Sequence, residues 1–251
     1  MIIRLLSAAL AAGFIAAIVV TGLELTLTSP LILAAERYER AEPSHQAAKT
    51  LPIVLAHSGH DHSDADKAGP DRAAPEWQPG AGLPRMAFTA LATLVGGVGY
   101  ALLLGAVMLA CGREPTARTC LAFAIAGFAS VALAPGLGLP PELPGSEAAP
   151  LAARQAWWVM TAAATGMGLY LIAIRRSFIA ILGGLILMII PHMVGAPQAP
   201  AGTSELPAAL AAQFASRSLA IGFVLWVMIG LGFGWAWHAL ARDSARGAAR
   251  A

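Results

Sequence analysis

The chain has 251 residues, 57% hydrophobic and only 12% charged, against about 25% charged in an average soluble domain. A soluble globule of that size has no place for so much apolar surface. A net charge of +2 from dispersed basic residues also speaks against a nucleic-acid partner.

The first element begins at Arg4 and continues as the apolar run Leu5–Leu23. A cleavable signal has an apolar region of about 7 to 15 residues, while a bilayer crossing takes about 20. The run is therefore expected to be a retained signal-anchor helix, with cleavage near Ala34 or Ala35 as the alternative. Next comes the only sizeable polar segment, from Ala35 to Arg85, rich in Pro, Gly, Asp and Ala. It lacks sustained apolar periodicity and is expected to be a long flexible loop.

Five further apolar stretches follow, at Met86–Ala110, Cys120–Leu139, Ala156–Ile174, Ser177–Val194 and Ser218–Leu240. Each reaches across a hydrocarbon core of about 30 Å as a helix. Backbone polar groups cannot stay unpaired in lipid, and the alternation of barrel strands is missing. The predicted fold class is all-α, a polytopic membrane helix bundle of about six transmembrane helices. The expected organisation is a first helix over 1–34, an outer loop over 35–85, a five-helix bundle over 86–240 and a tail over 241–251.

Arg4, Arg113 with Arg118, Arg175 with Arg176, and Arg242, Arg246 and Arg250 then all fall on one side. The positive-inside rule makes that side cytoplasmic, so both termini are expected inside a bacterial inner membrane. The outer loop holds six Lys or Arg of its own, which runs against the rule. Trp157 with Trp158, and Trp235 with Trp237, suit aromatic belts. Gly96 with Gly97, Gly183 with Gly184, and Gly230, Gly232 and Gly234 suit close helix packing. Cys111 and Cys120 have no metal or redox spacing and read as small apolar residues.

The strongest chemical signal is His57-Ser58-Gly59-His60-Asp61-His62-Ser63-Asp64-Ala65-Asp66, which holds half of the chain's six histidines. Imidazole suits cobalt, nickel, copper or zinc, and carboxylates such as Asp61 and Asp64 add charge and oxygen ligands. The alternative is a solvated loop with incidental histidines. Helical rise places Glu24 near 30 Å from Arg4. Pro191-His192 falls at the outer end of the fifth stretch, and Glu142 follows a break at Pro135. Glu24, Glu142, His192 and the loop histidines thus share the expected outer face, as a vestibule for a cation requires. The simpler alternatives are Glu24 in the interface and His192 at a helix end. His238 reads as an inner-interface residue. Breaks at Pro135, Pro140, Pro141 and Pro191 would free carbonyls that replace water around an ion, or would simply end helices. There is no GxxxxGK[ST] run, G-x-S-x-G elbow or HExxH helix, so the chain is expected to be neither an ATPase nor another enzyme.

Blocks along nearly the whole chain resemble the CbtA family of predicted cobalt transporter subunits. They include Pro30-Leu-Ile, Ala35-Glu36, Tyr38-Glu39, the His-rich stretch, Glu76-Trp77 and Gly82 to Arg85. Further blocks are Ala132 to Gly145, Ala153-Arg-Gln155, Trp157-Trp158, Pro191-His192, Gly195-Ala-Pro197, Leu206-Pro207 and Phe214. The resemblance implies a membrane subunit of a cobalt uptake system, linked to cobalamin synthesis. It implies a small single-helix partner, CbtB, carrying its own histidines. It also implies about five spans, whereas the charge distribution closes with six. Glu24 departs from the family pattern, in which a neutral amide is expected. No tightly bound cofactor is expected, only transported or loosely held cobalt, with nickel or zinc as alternatives. The rival to a transporter is a membrane-anchored metal-binding accessory subunit.

Overall fold

The computed structural model describes residues 2–41, 79–80, 82–199 and 206–248. Among these there is no strand. Helix α1 (Ile2–Leu23) passes through a wide π turn at Glu24–Thr28 into α2 (Ser29–Ala41). The next described helices are α3 (Leu83–Ala110) and α4 (Ala117–Phe128), followed by a second π turn at Ala129–Leu133 and α5 (Ala134–Gly138). Next are α6 (Leu151–Tyr170), a third π turn at Leu171–Arg175, α7 (Phe178–Val194) and α8 (Ala208–Ala248).

Every apolar stretch read from the sequence is helical. Five helices, at Ile2–Tyr38, Leu83–Ala110, Ala117–Gly138, Leu151–Arg175 and Ala208–Arg242, are long and apolar enough to cross a membrane. The sixth apolar helix, Phe178–Val194, has 17 residues, at the lower bound of about 17 for a crossing.

Small residues govern which helices pack. Ala8, Ala9, Ala12, Ala16 and Ala17 of α1 are buried, on two adjacent rows spaced four apart that let neighbouring backbones approach. A Cβ at Gly13 would stand 2.6 Å from the Val98 backbone of α3, and one at Gly232 of α8 would stand 3.2 Å from Ala12 Cα. Gly230 and Gly234 bring α8 equally close to α4. Met108, Ile229 and Phe233 fill the centre, so α1, α3, α4 and α8 form the core bundle. Of the glycines expected to pack, Gly97, Gly184, Gly230, Gly232 and Gly234 do so, whereas a Cβ at Gly96 or Gly183 would meet no neighbouring helix within 4 Å.

Helices α6 and α7 form a peripheral hairpin pinned by Gly168 against Gly184. They turn at Arg176, which adopts a left-handed φ of 53°. Cys120 is buried in the core and both cysteines are free thiols. Trp158 and Trp235 are exposed on the bundle surface as an aromatic belt requires, but Trp157 is buried at 6% exposure. It wedges between Gly138 and Pro191.

The third apolar stretch differs from expectation in one respect. A break at Pro135 does not occur; the helix runs on to Gly138, and α1 likewise continues past Glu24 through Pro30. A proline ring crowds the carbonyl four residues earlier and supplies no N–H. In both helices a π turn, Glu24–Thr28 or Ala129–Leu133, ends two residues before the proline. Widening the turn absorbs the clash without ending the helix.

Candidate cation site

The π turn before Pro30 loosens the carbonyls around it, and side chains take them up. Thr26 Oγ1 donates to Gly22 O at 2.8 Å, and Thr28 Oγ1 donates to Glu24 O at 2.9 Å. Arg217 of α8 reaches across to donate from Nη1 to Leu27 O at 2.9 Å. Glu24 opens this turn, where π turns often mark functional positions. At about 1.5 Å per residue, Glu24 lies about 30 Å from Arg4, and Arg217 about 30 Å from Trp237. Arg4 donates to Trp237 O, so the two independent counts start from one contact and put Glu24 and Arg217 at the same level.

Thr93 of α3 donates from Oγ1 to Glu24 Oε2 at 2.6 Å and also lies 2.9 Å from Thr89 O. One hydroxyl proton serves one acceptor at a time, so Thr93 chooses between the carboxylate and its own helix. These groups open on a cavity of about 510 Å³ between α1, α3 and α8, whose polar lining is Glu24, Thr28, Ser29, Thr89, Thr93 and Ser218. Water occupies about 30 Å³ in the liquid. The volume therefore admits a divalent ion with a shell of water, facing one carboxylate and several hydroxyls.

Ser218 also lines a second cavity of about 710 Å³ on the other side of α8, beside the second π turn and its proline. Here Glu142 accepts from Arg154 Nη2 at 2.9 Å, so its carboxylate is already paired with a cation. His192 stands at the end of α7 with its ring edge-on to Trp157, centroids 6.0 Å apart. Trp157 Nε1 donates to Pro191 O at 3.4 Å, a long contact.

Glu24, Glu142 and His192 thus have separate partners and line separate places. Among the described residues no three His, Cys, Asp or Glu side chains gather into a set that could hold a metal. His57, His60, Asp61, His62 and Asp64 lie outside the described residues. Sequence reasoning passed over Thr93 and Arg217. The first was signalled by Thr89 and Thr93, spaced four apart on one helical face. The second was signalled by a lone arginine at the edge of the last apolar stretch.

Among the described residues, five long apolar helices packed through small residues define a polytopic α-helical membrane protein. Residues 2–238 match the family model described as probable cobalt transporter subunit (CbtA), and the chain belongs to that family. No curated protein and no solved structure matches it.

Proposed function

We propose that this chain is the membrane-embedded subunit of a cobalt uptake system in a bacterial inner membrane, with both termini in the cytoplasm and α7 as the fifth of six crossings. The loop carrying His57, His60, Asp61, His62 and Asp64 concentrates the divalent ion outside. The cavity at Glu24 then receives it, exchanging part of its water shell for the carboxylate and the hydroxyls of Thr28, Ser29 and Thr93. The carrying observation is a carboxylate set in a π turn, lining a mostly apolar cavity in which several hydroxyls stand beside it. An ionisable group in that setting is costly and marks an ion pathway by default.

Glu142 and His192 line the approach from the outer side. Arg154 is exchanged for the ion when Glu142 takes part. Cobalt is the cargo, no resident cofactor is needed, and no reaction is catalysed. The driving force comes from the membrane potential, an ion gradient or another subunit. A small single-helix, histidine-bearing partner of the CbtB kind completes the system.

The separation of Glu24, Glu142 and His192 also favours a second reading, in which the chain displays a metal-buffering loop and moves no ion itself. Purified protein reconstituted in liposomes, alone and with the small partner, distinguishes the two. Entry of radioactive cobalt, resistant to nickel and zinc, supports transport. Binding without entry under both conditions supports the accessory reading, and equal competition by nickel or zinc reassigns the cargo.

A further inference from the structure

At the opposite end of the core bundle, a cavity of about 560 Å³ is lined by Arg4, Leu109, Gly112 to Thr116, Trp237 and His238. All four core helices contribute to it or border it. The Glu24 reading makes no use of this place. We propose that it holds the phosphate of an anionic phospholipid headgroup, with the acyl chains lying along the adjoining apolar surface.

The pocket is built on a stiff frame. Helix α3 ends at Ala110 and the chain turns at Gly112, whose φ of 62° is a conformation glycine adopts without strain. The turn is closed by Gly112 N donating to Leu109 O and Arg113 N to Met108 O, both at 2.9 Å. Four residues after Gly112, Thr116 caps α4, accepting from Thr119 N at 3.2 Å while Thr119 Oγ1 accepts from Thr116 N at 2.9 Å. On the facing side, the Arg4 guanidinium lies 4.0 Å over the Trp237 ring and donates to Trp237 O from Nε at 2.9 Å and from Nη2. These bonds use two of its five N–H donors, leaving the planar fork suited to phosphate.

Charge favours an anion. Arg4 and Arg113 outnumber Glu114 in the lining, and His238 adds an imidazole N–H donor. The start of α4 presents the positive end of its dipole there. The position favours a lipid over a free anion. Leu109 in the lining is 39% exposed, and Ile3, next to Arg4 on α1, is 80% exposed. The headgroup pocket therefore continues into surface that acyl chains cover. Basic pockets between helices at the membrane interface are a recurrent way of holding anionic headgroups.

The test uses the intact chain in lipid nanodiscs. Co-purifying phosphatidylglycerol is measured against phosphatidylcholine, with inorganic phosphate as competitor. Arg4 is left in place because it ties α1 to α8. A basic residue beside an anionic headgroup is worth about fivefold. Arg113→Ala should therefore lower the phosphatidylglycerol preference about fivefold, Arg113→Ala with His238→Ala further, and Arg113→Lys should retain most of it. Arg175→Ala with Arg176→Ala, at the α6–α7 turn, should leave it unchanged. Equal losses at both places would reduce the effect to general attraction, and an unchanged preference in the Arg113 variants would also overturn the site. Full displacement of the lipid by millimolar phosphate would overturn the lipid assignment in favour of a free-anion site. Unaltered melting of Arg113→Ala, an exposed position, verifies folding.

Discussion

Gly13 links the packing of the bundle to its cavity. In Gly13→Ala the new Cβ would stand 2.6 Å from both Cα and N of Val98, and 2.8 Å from its Cγ2. Two of these atoms are backbone, so relief requires α1 and α3 to part by about 0.8 Å to restore ordinary carbon contact. Overpacking of this kind costs about 1–3 kcal/mol, offset by about 1 kcal/mol of better helix propensity. Gly22→Ala lies on the same helix with nothing within 4 Å, so it keeps the propensity gain alone. The two variants should differ by about 1–3 kcal/mol, which at about 2–4 °C per kcal/mol for a chain of this size separates their melting by roughly 2–12 °C. Glu24 and Thr93 meet on the same α1–α3 seam, about 16 Å above Gly13, and their 2.6 Å contact does not survive such parting. Cobalt uptake should therefore fall in Gly13→Ala and hold in Gly22→Ala. The assays are thermal melting of detergent-purified protein and uptake at matched expression. Gly13→Ala melting at or above Gly22→Ala, with uptake intact, would refute the packing argument.

Thr161 and Thr165 bury hydroxyls that have no hydrogen-bond partner among the described residues, so Thr161→Val or Thr165→Val should raise stability by about 1 kcal/mol or more; a lower melting temperature in both would show that those hydroxyls hold something. Trp157→Ala empties the wedge between Gly138 and Pro191 and should cost about 3–5 kcal/mol. Trp157→Phe loses the long bond to Pro191 O and the ring atoms beside Gly138 but keeps an aromatic ring, and should melt between Trp157→Ala and the natural chain in thermal denaturation. Glu142→Gln breaks an ion pair whose side chains are 28% and 32% exposed, so its stability should stay within about 1 kcal/mol; any loss of cobalt uptake in that variant reports function and not folding.

The bundle was legible in the sequence because lipid leaves the backbone few options. Long apolar runs must be helices, and the small residues of α1 foretell how closely its neighbours lie. Proline was misread at Pro135, since a rule about helix breaking does not foresee that an upstream π turn can widen to hold the ring. Trp157 was misplaced to the interface for a related reason. Its pocket is made by Gly138 and Pro191, residues distant in sequence and brought together only by the α6–α7 hairpin. Helical rise places Glu24 about 30 Å from Arg4 but does not say what it touches. Its partner Thr93 comes from α3, and Arg217 of α8 bonds Leu27 O in the same turn; no periodicity within α1 points to either. Glu142 was read as an available ligand because Arg154, its partner, lies across a proline-rich turn whose path the sequence does not specify.

The central claim is that cobalt passes the oxygen ligands at Glu24. Radioactive cobalt accumulation in a cobalt-starved strain tests it most directly, comparing the natural chain with Glu24→Leu and Glu24→Gln at equal membrane abundance, each with the small partner present. Glu24→Leu removes every side-chain oxygen and should abolish uptake, while Glu24→Gln keeps one neutral oxygen ligand and should retain part of it. Undiminished uptake in Glu24→Leu would contradict the account.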